Sequence, residues 1–311
     1  MKIISLVVPC FNEVSNINFF YNSCQKLIKP LHKKYKFEII FVDDGSSDNT
    51  LKILVQLSKK DNQVKIIEFS RNFGKEAALT AGLQMSMGSA VIPIDADLQD
   101  PLLLIPKMIQ FWESGYEVVL AKRIDRNEDS WAKRFTSSIF YRLHNAISSI
   151  KIPNNVGDFR LMDREVVKVL NGMKEQQRFM KGLFAWVGFK TITIDYKRPS
   201  RYQGRSKFSG WKLWNFAIEG ITSFSSAPLR VWSYIGLFGA FLALIYGGLI
   251  IFKTLYYGVD VPGYASLLVA ILFFGSLQLI GIGMLGEYLG RVYLESKNRP
   301  IYVIRKKYGF K

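Results

Sequence analysis

Apolar and polar positions alternate in blocks along the first two hundred residues. KIISLVVPCF is a short β-branched run ending in a turn, the mark of a buried strand. FEIIFVDDGSSDNT repeats the theme: a strand, acidic and Gly/Ser residues, then a helix predicted to start near Asp48, with Ser47 or Asp48 as its N-cap. VKIIEFSRN gives a third strand and KEAALTAGLQMSM the helix behind it. SAVIPIDADLQDP and YEVVLAKR supply a fourth and a fifth strand. Strands alternating with helices predict an α/β domain with a doubly wound, mostly parallel sheet. In such sheets ligands sit beyond the carboxyl ends of the strands. The polar clusters Asn12-Glu13, Asp43-Asp44, Arg71-Asn72, Asp95-Ala96-Asp97 and Lys122-Arg123 all fall there.

The pattern changes after residue 230. Between Arg230 and Lys253 there are 22 residues without a charge, and Val261 to Gly286 is a second such run of 26. At ~1.5 Å per residue the shorter one reaches about 33 Å as a helix, enough to cross ~30 Å of hydrocarbon. Gly236, Gly239, Gly247 and Gly248 in the first, and Gly275, Gly281, Gly283 and Gly286 in the second, allow close packing of membrane helices. A pair of buried core helices is the bland alternative. Basic residues flank the pair on both outer sides, whereas the short link holds Lys253 and Asp260. The positive-inside rule then puts both ends in the cytoplasm. The apolar run Ile3–Val8 is too short for a signal-peptide core. WKLWNFAIEGITSF, and the stretch from Trp131 to Ile150, suit helices lying in the membrane interface. IYVIRKK near the end has the pattern of a short strand, read as pairing with another subunit.

Composition narrows the chemistry. Lys and Arg number 42 against 25 Asp and Glu, a net charge of +17, which draws the chain toward phosphates or acidic lipid. Trp residues beside a membrane span argue against nucleic acid. Two cysteines and two histidines exclude a disulfide framework and a histidine-built metal site. No GxGxxG follows the first strand and no GxxxxGK[ST] occurs, which disfavours dinucleotide dehydrogenases and P-loop NTPases. Without such loops a nucleotide diphosphate needs another counter-charge. Two aspartates spaced Asp-x-Asp at a strand end, Asp95 and Asp97, can hold a hard divalent cation that clamps both phosphates.

The ordered set VVPCFNE, VDDGSSDNT, SRNFGKEAAL, IDADLQDP, VGDFRLMDR, FMKG and RYQGRSKFSGWKLW resembles the family 2 glycosyltransferases of GT-A fold. Within them it is most similar to the polyprenyl-phosphate branch, which includes dolichol-phosphate mannose synthases. The two spans and SWAKRF…FYRLHN look most like the bactoprenol glucosyltransferases.

That resemblance implies transfer of one hexose, glucose from UDP-glucose, to undecaprenyl phosphate, inverting and dependent on Mg2+ or Mn2+. The lipid-linked sugar would then serve O-antigen modification of lipopolysaccharide. It implies that Pro9, Asn12, Glu13, Asp43, Asp44, Asp95 and Ala96 bind the nucleotide sugar. Asp95, Asp97 and Gln99 would hold the metal. Arg123, Arg134, Arg201, Ser206 and Lys207 would gather the acceptor phosphate, and Asp158 would sit beside the reacting centre. The expected organisation is a cytoplasmic GT-A domain over 1–210, an interfacial helix over 211–229, transmembrane helices over 230–253 and 261–287, and a basic cytoplasmic tail over 288–311. The protein would be multi-pass in a cell inner membrane, with a flippase and further copies of itself as partners. Two other readings stay open: the same reaction with mannose, GlcNAc or amino-arabinose, and a non-catalytic, membrane-tethered sugar-nucleotide-binding protein.

Overall fold

The computed structural model describes residues 1–124, 155–176, 178–197, 227–258 and 263–310. Eight strands form one sheet: β1 (Lys2–Cys10), β2 (Tyr35–Asp43), β3 (Val64–Phe69), β4 (Ala90–Pro93), β5 (Val118–Arg123), β6 (Val156–Asp163), β7 (Thr191–Tyr196) and β8 (Ile304–Tyr308). Their order is β7-β5-β6-β4-β1-β2-β3-β8. β3, β2, β1 and β4 are mutually parallel, and β5 is parallel to β7. β6 runs antiparallel between β4 and β5, and β8 runs antiparallel on the outer edge of β3. The expected α/β architecture is therefore present, with two strands reversed.

Helices cover both faces. On one face lie α1 (Ile17–Ile28), α2 (Thr50–Lys60) and α4 (Ile105–Glu113). α1 turns Ile17, Phe20, Cys24 and Ile28 inward at helical spacing, onto Ile39, Phe41 and Leu54. On the other face lie α3 (Lys75–Met85), α5 (Arg164–Gly172) and α6 (Met180–Trp186), packed through Leu79, Leu83, Val167, Leu170 and Leu183. α3 comes closest to the sheet: a Cβ on Gly82 would stand 2.2 Å from Val7 Cγ1. Cys10 and Cys24 are buried free thiols.

At the amino ends of the parallel strands the buried Glu38 accepts from Ser5 Oγ, from the Met87 N–H at 2.7 Å and from Lys65 Nζ at 2.6 Å. Burial pushes its pKa up, but the Lys65 ammonium, Ser5 and the Met87 amide outweigh that and leave it below the ordinary carboxylate value. A carboxylate with a depressed folded-state pKa contributes stability above its unfolded value of ~4.3, and loses it as pH falls through the lower folded value. Glu38→Gln is expected to cost about 2 kcal/mol at neutral pH and to flatten the acid limb of the stability curve. Circular-dichroism melts between pH 3 and pH 8 check both.

Two helices follow, α7 (Ala227–Tyr257) and α8 (Tyr264–Ser296). Val231–Leu249 and Ala270–Ser296 are long and apolar enough to cross a membrane. They are not core helices, because Leu237, Phe238, Phe273 and Leu285 are each more than half exposed. They meet through small residues. The Trp232 indole lies against the Cα of Gly281, where a Cβ would be 2.0 Å from Nε1, and Phe274 sits over Gly239. The other glycines named for this role, Gly236, Gly247, Gly248, Gly275, Gly283 and Gly286, meet nothing within 4 Å among the described residues.

α8 continues without a break past residue 287, and in its last turn Glu295 Oε1 accepts the Gln176 N–H at 2.8 Å. The chain then re-enters the α/β domain. The terminal strand was expected to pair with another subunit, but β8 pairs with β3 of its own chain, Ile67 opposite Lys307 and Glu68 opposite Lys306. The physical reason is burial. Ile301, Tyr302, Ile304 and Phe310 pack on Phe69 and Ile67, and the Tyr302 ring stacks on Phe69 at 5.0 Å. Residues 301–310 thus pack on the α/β domain, and Ile304–Tyr308 complete the outer edge of its sheet.

Candidate active site

The parallel strands deliver their carboxyl ends to one rim, and each end is followed by a polar turn. After β1, Asn12 takes the left-handed conformation (φ 55°), reached at little steric cost by Asn. Its Oδ1 accepts the Ser47 N–H at 2.8 Å, and its own N–H donates to Ser46 Oγ at 3.0 Å. The Glu13 N–H donates to Thr50 Oγ1 at 2.9 Å. The β1 and β2 turns are therefore laced together. Asp48 Oδ1 accepts from the Thr50 N–H at 2.9 Å, but α2 starts at Thr50 and its N-cap position is Asn49 rather than Ser47 or Asp48, because the Asn49 carbonyl takes the first helical N–H, that of Ile53.

Asp43 and Asp44 end β2, and both are buried. Asp44 takes the N–H groups of Phe73 at 2.6 Å and Gly74 at 2.9 Å, so its carboxylate fixes the loop between β3 and α3. Burial raises its pKa; those two amides and Arg71 act in the opposite direction. Asp43 Oδ2 accepts weakly from the Ser46 N–H, and its buried Oδ1 has no hydrogen-bond partner among the described residues. Burial, reinforced by the charges of Glu68 and Asp48, raises its pKa too. Between these turns the backbones touch: a Cβ on Gly45 (φ +67°) would lie 2.5 Å from the Arg71 carbonyl carbon, so this contact requires glycine.

Asp95 and Asp97 follow β4 in a tight turn. Asp97 Oδ1 accepts the Gln99 N–H at 3.1 Å, and Leu98 is held at φ 59°, a strained value for a bulky residue. Ala96 turns its side chain into the core cluster, and Gln99 is buried. Among the described residues no three His, Cys, Asp or Glu side chains converge as a closed metal cage. Two carboxylates one residue apart at the end of β4 could form a hard, incomplete donor set. That suits Mg2+ or Mn2+, ions that keep positions for phosphate oxygens and water.

Asp158 reaches the same rim by a different route. β6 is antiparallel, so its first residues, not its last, stand beside the ends of β4 and β5; Val156 lies opposite Lys122. The Lys75 ammonium joins the two sides, 2.7 Å from Asp95 Oδ1, 2.9 Å from Asp95 Oδ2 and 2.8 Å from Asp158 Oδ2. Desolvation alone would raise the Asp158 pKa, but Lys75, Lys181 and Arg160 together bring it below the ordinary range, so the group is a carboxylate at neutral pH. Arg160 donates to the Gly157 carbonyl at 2.6 Å and lies 4.0 Å over the Phe184 ring. Arg123 closes β5, its N–H on the Asn155 carbonyl at 3.0 Å. Arg134, Arg201, Ser206 and Lys207, with the interfacial segments, lie outside the described residues.

Of the expected residues, the structure brings Pro9, Asn12, Glu13, Asp43, Asp44, Asp95, Asp97, Gln99, Arg123 and Asp158 to one rim. Sequence reasoning missed Lys75, although a signal existed. It is the first residue of α3, where the helix dipole disfavours a cation.

The acidic rim lies at the carboxyl edge of a GT-A-like mixed α/β fold. Residues 5–170 match the family described as Glycosyl transferase family 2, and the chain belongs to that family. It is 55% identical over 305 residues to the SfII prophage-derived bactoprenol glucosyl transferase of Shigella flexneri, spanning 97% of each chain. It is 53% identical to the prophage bactoprenol glucosyl transferase homolog of Escherichia coli K12, over 97% of this chain and 98% of that one. Among solved structures it is similar to glucosyl-3-phosphoglycerate synthase from Mycobacterium tuberculosis in complex with Mn2+, UDP-glucose and phosphoglyceric acid. That similarity has a TM-score of 0.44 and 21% identity, over 71% of this chain and 78% of that one.

Proposed function

We propose that this glycosyltransferase moves one glucose unit from UDP-glucose to the phosphate of a polyprenyl lipid, bactoprenol (undecaprenyl) phosphate, at the cytoplasmic face of the membrane. The observation that carries the reading is the 55% identity to a bactoprenol glucosyl transferase over 97% of both chains. Two long apolar helices attached to the catalytic domain agree with a lipid acceptor. In this reading α7 and α8 span the membrane with both ends in the cytoplasm, and the lipid-linked glucose feeds O-antigen modification.

Each side chain then has a task. Asp43 has a buried oxygen with no partner among the described residues, able to accept from the base or ribose, and Asn12 and Glu13 follow β1, the strand beside β2. Asp95 and Asp97, with Gln99, would hold Mg2+ or Mn2+ at the donor diphosphate. When bound, that ion stabilises the negative charge growing on the leaving UDP. Arg123, with Arg134, Arg201, Ser206 and Lys207, lowers the repulsion between the incoming acceptor phosphate and the donor. A phosphate monoester has a second pKa near ~6 and is largely ionised already. Asp158 matches this demand, because a carboxylate with a lowered pKa is a weak base and a good anchor for Lys75. With no covalent intermediate, a single displacement inverts the anomeric centre and gives a β-linked glucosyl phosphate.

The test is incubation of the detergent-solubilised full-length protein with undecaprenyl phosphate, Mg2+ and, separately, UDP-glucose, UDP-GlcNAc and GDP-mannose. A lipid product one hexose heavier, formed from UDP-glucose in preference to the others, is expected. Donor binding without any lipid product would overturn the proposal.

A further inference from the structure

The Lys75 ammonium is placed from both ends. At its base, the two residues before it, Phe73 and Gly74, give their N–H groups to the buried Asp44, so the start of α3 is fixed by a carboxylate beneath it. At its tip, Nζ lies between Asp95 at the end of β4 and Asp158 at the start of β6, within 2.9 Å of both Asp95 oxygens. A lysine on the first turn of a helix works against the helix dipole. The two carboxylates give this one a reason to be there.

The consequence concerns the divalent ion, and it rests on the reading that Asp95 ligates that ion. An ammonium and a divalent cation compete for the same two oxygens. Ligation of Asp95 by the ion requires Lys75 to leave it, and two cations brought close together repel. A nucleotide diphosphate reverses the balance, because its negative charge offers the ammonium another partner. We propose that Lys75 is the internal cation of the donor site: it holds Asp95 to Asp158 when no donor is bound, and it makes binding of the divalent ion depend on the nucleotide diphosphate. Lys75 is thus a positioning residue, and ion and donor load as a coupled pair rather than independently. Coupling of this kind is reciprocal, so each ligand tightens the other by the same factor.

The experiment titrates Mn2+ into detergent-solubilised full-length protein and follows the free aqueous ion by electron paramagnetic resonance, with and without UDP. Without nucleotide, Lys75→Met is expected to bind Mn2+ about tenfold more tightly than wild type, while Lys75→Arg, which keeps the charge, stays close to wild type. UDP should tighten Mn2+ binding by wild type far more than by Lys75→Met. Equal Mn2+ affinity of wild type and Lys75→Met in the absence of UDP would overturn the proposal. If Lys75→Met does not fold, the wild type alone decides, because an Mn2+ affinity indifferent to UDP would also overturn it. Asp95→Asn separates the two layers. If it leaves Mn2+ binding in the presence of UDP untouched, the assignment of the ion to Asp95 falls and this proposal with it, whereas glucose transfer to the lipid is judged by its own assay.

Discussion

Asp95→Asn should lower the rate of sugar transfer by about 10^3-fold, with little change in melting temperature. The substitution is nearly isosteric, and it removes charge at a turn where Asp95 is part exposed, so the fold has little at stake. What it removes is one of two carboxylates at the end of β4 able to hold a divalent ion against the donor diphosphate. The remaining Asp97 is committed through Oδ1 to the Gln99 amide. Lys75 keeps Asp158 as a partner in the variant, so the rim stays assembled while the charge that would neutralise the leaving group is lost. Asp158→Asn should cost less than Asp97→Asn, because the acceptor phosphate needs no strong base. The measurement is UDP release under saturating lipid acceptor, with melts of each variant alongside. Residual activity within tenfold of wild type for Asp95→Asn would place the metal, or the need for one, elsewhere.

The rim was legible in the sequence because parallel strands repeat one simple pattern. β1 to β5 are β-branched runs cut off by Asn, Asp, Arg or Lys, and a strand that runs parallel to its neighbours must bring that terminal polar cluster to a common edge. β6 hid itself for the opposite reason. VGDFRLMD interleaves Asp158 and Arg160 with apolar residues, and it enters the sheet between two strands that are distant from it in sequence. Only resemblance, not periodicity, placed Asp158 near the reaction. α1, α5, α6 and β7 add no polar cluster to the rim and were passed over, although α1 shows a regular apolar stripe. Lys75 lies four residues past Arg71, beyond the polar pair that ends β3. The neighbouring lysine reads as an ordinary solvated charge until two carboxylates are seen to close on it. The pairing of β8 with its own sheet is hard to read from the sequence because IRKKY is strongly basic. Its apolar residues are half-buried, Ile304 packing with Phe69 on one face of the sheet and Tyr308 with the core cluster on the other, while Arg305, Lys306 and Lys307 are exposed.

Removing residues 300–311 should lower the melting temperature of the α/β domain by about 10 °C and weaken UDP binding as well. The stability loss follows from what β8 covers. Without it β3 becomes a bare edge, Phe69 and Ile67 lose the packing of Ile301, Tyr302, Ile304 and Phe310, and the Tyr308 hydroxyl no longer donates to Glu68. Uncovering even two large apolar side chains costs about 3–6 kcal/mol, and each kcal/mol lowers the melting temperature of a domain of this size by about 2–4 °C. The effect on the nucleotide follows from where β3 leads. The Ser70 N–H donates to the Val303 carbonyl at 3.0 Å, and Phe73 packs edge-on against Phe69, so the loop that carries Arg71 and Lys75 to the donor rim is braced by the returning chain. A milder variant separates packing from length. Tyr302→Ala keeps the strand but removes the ring stacked on Phe69, and it should show a smaller share of both losses. Scanning fluorimetry in detergent and calorimetric UDP titration give the two readouts. A truncated protein that melts like wild type would mean that β8 adds nothing to the stability of the sheet.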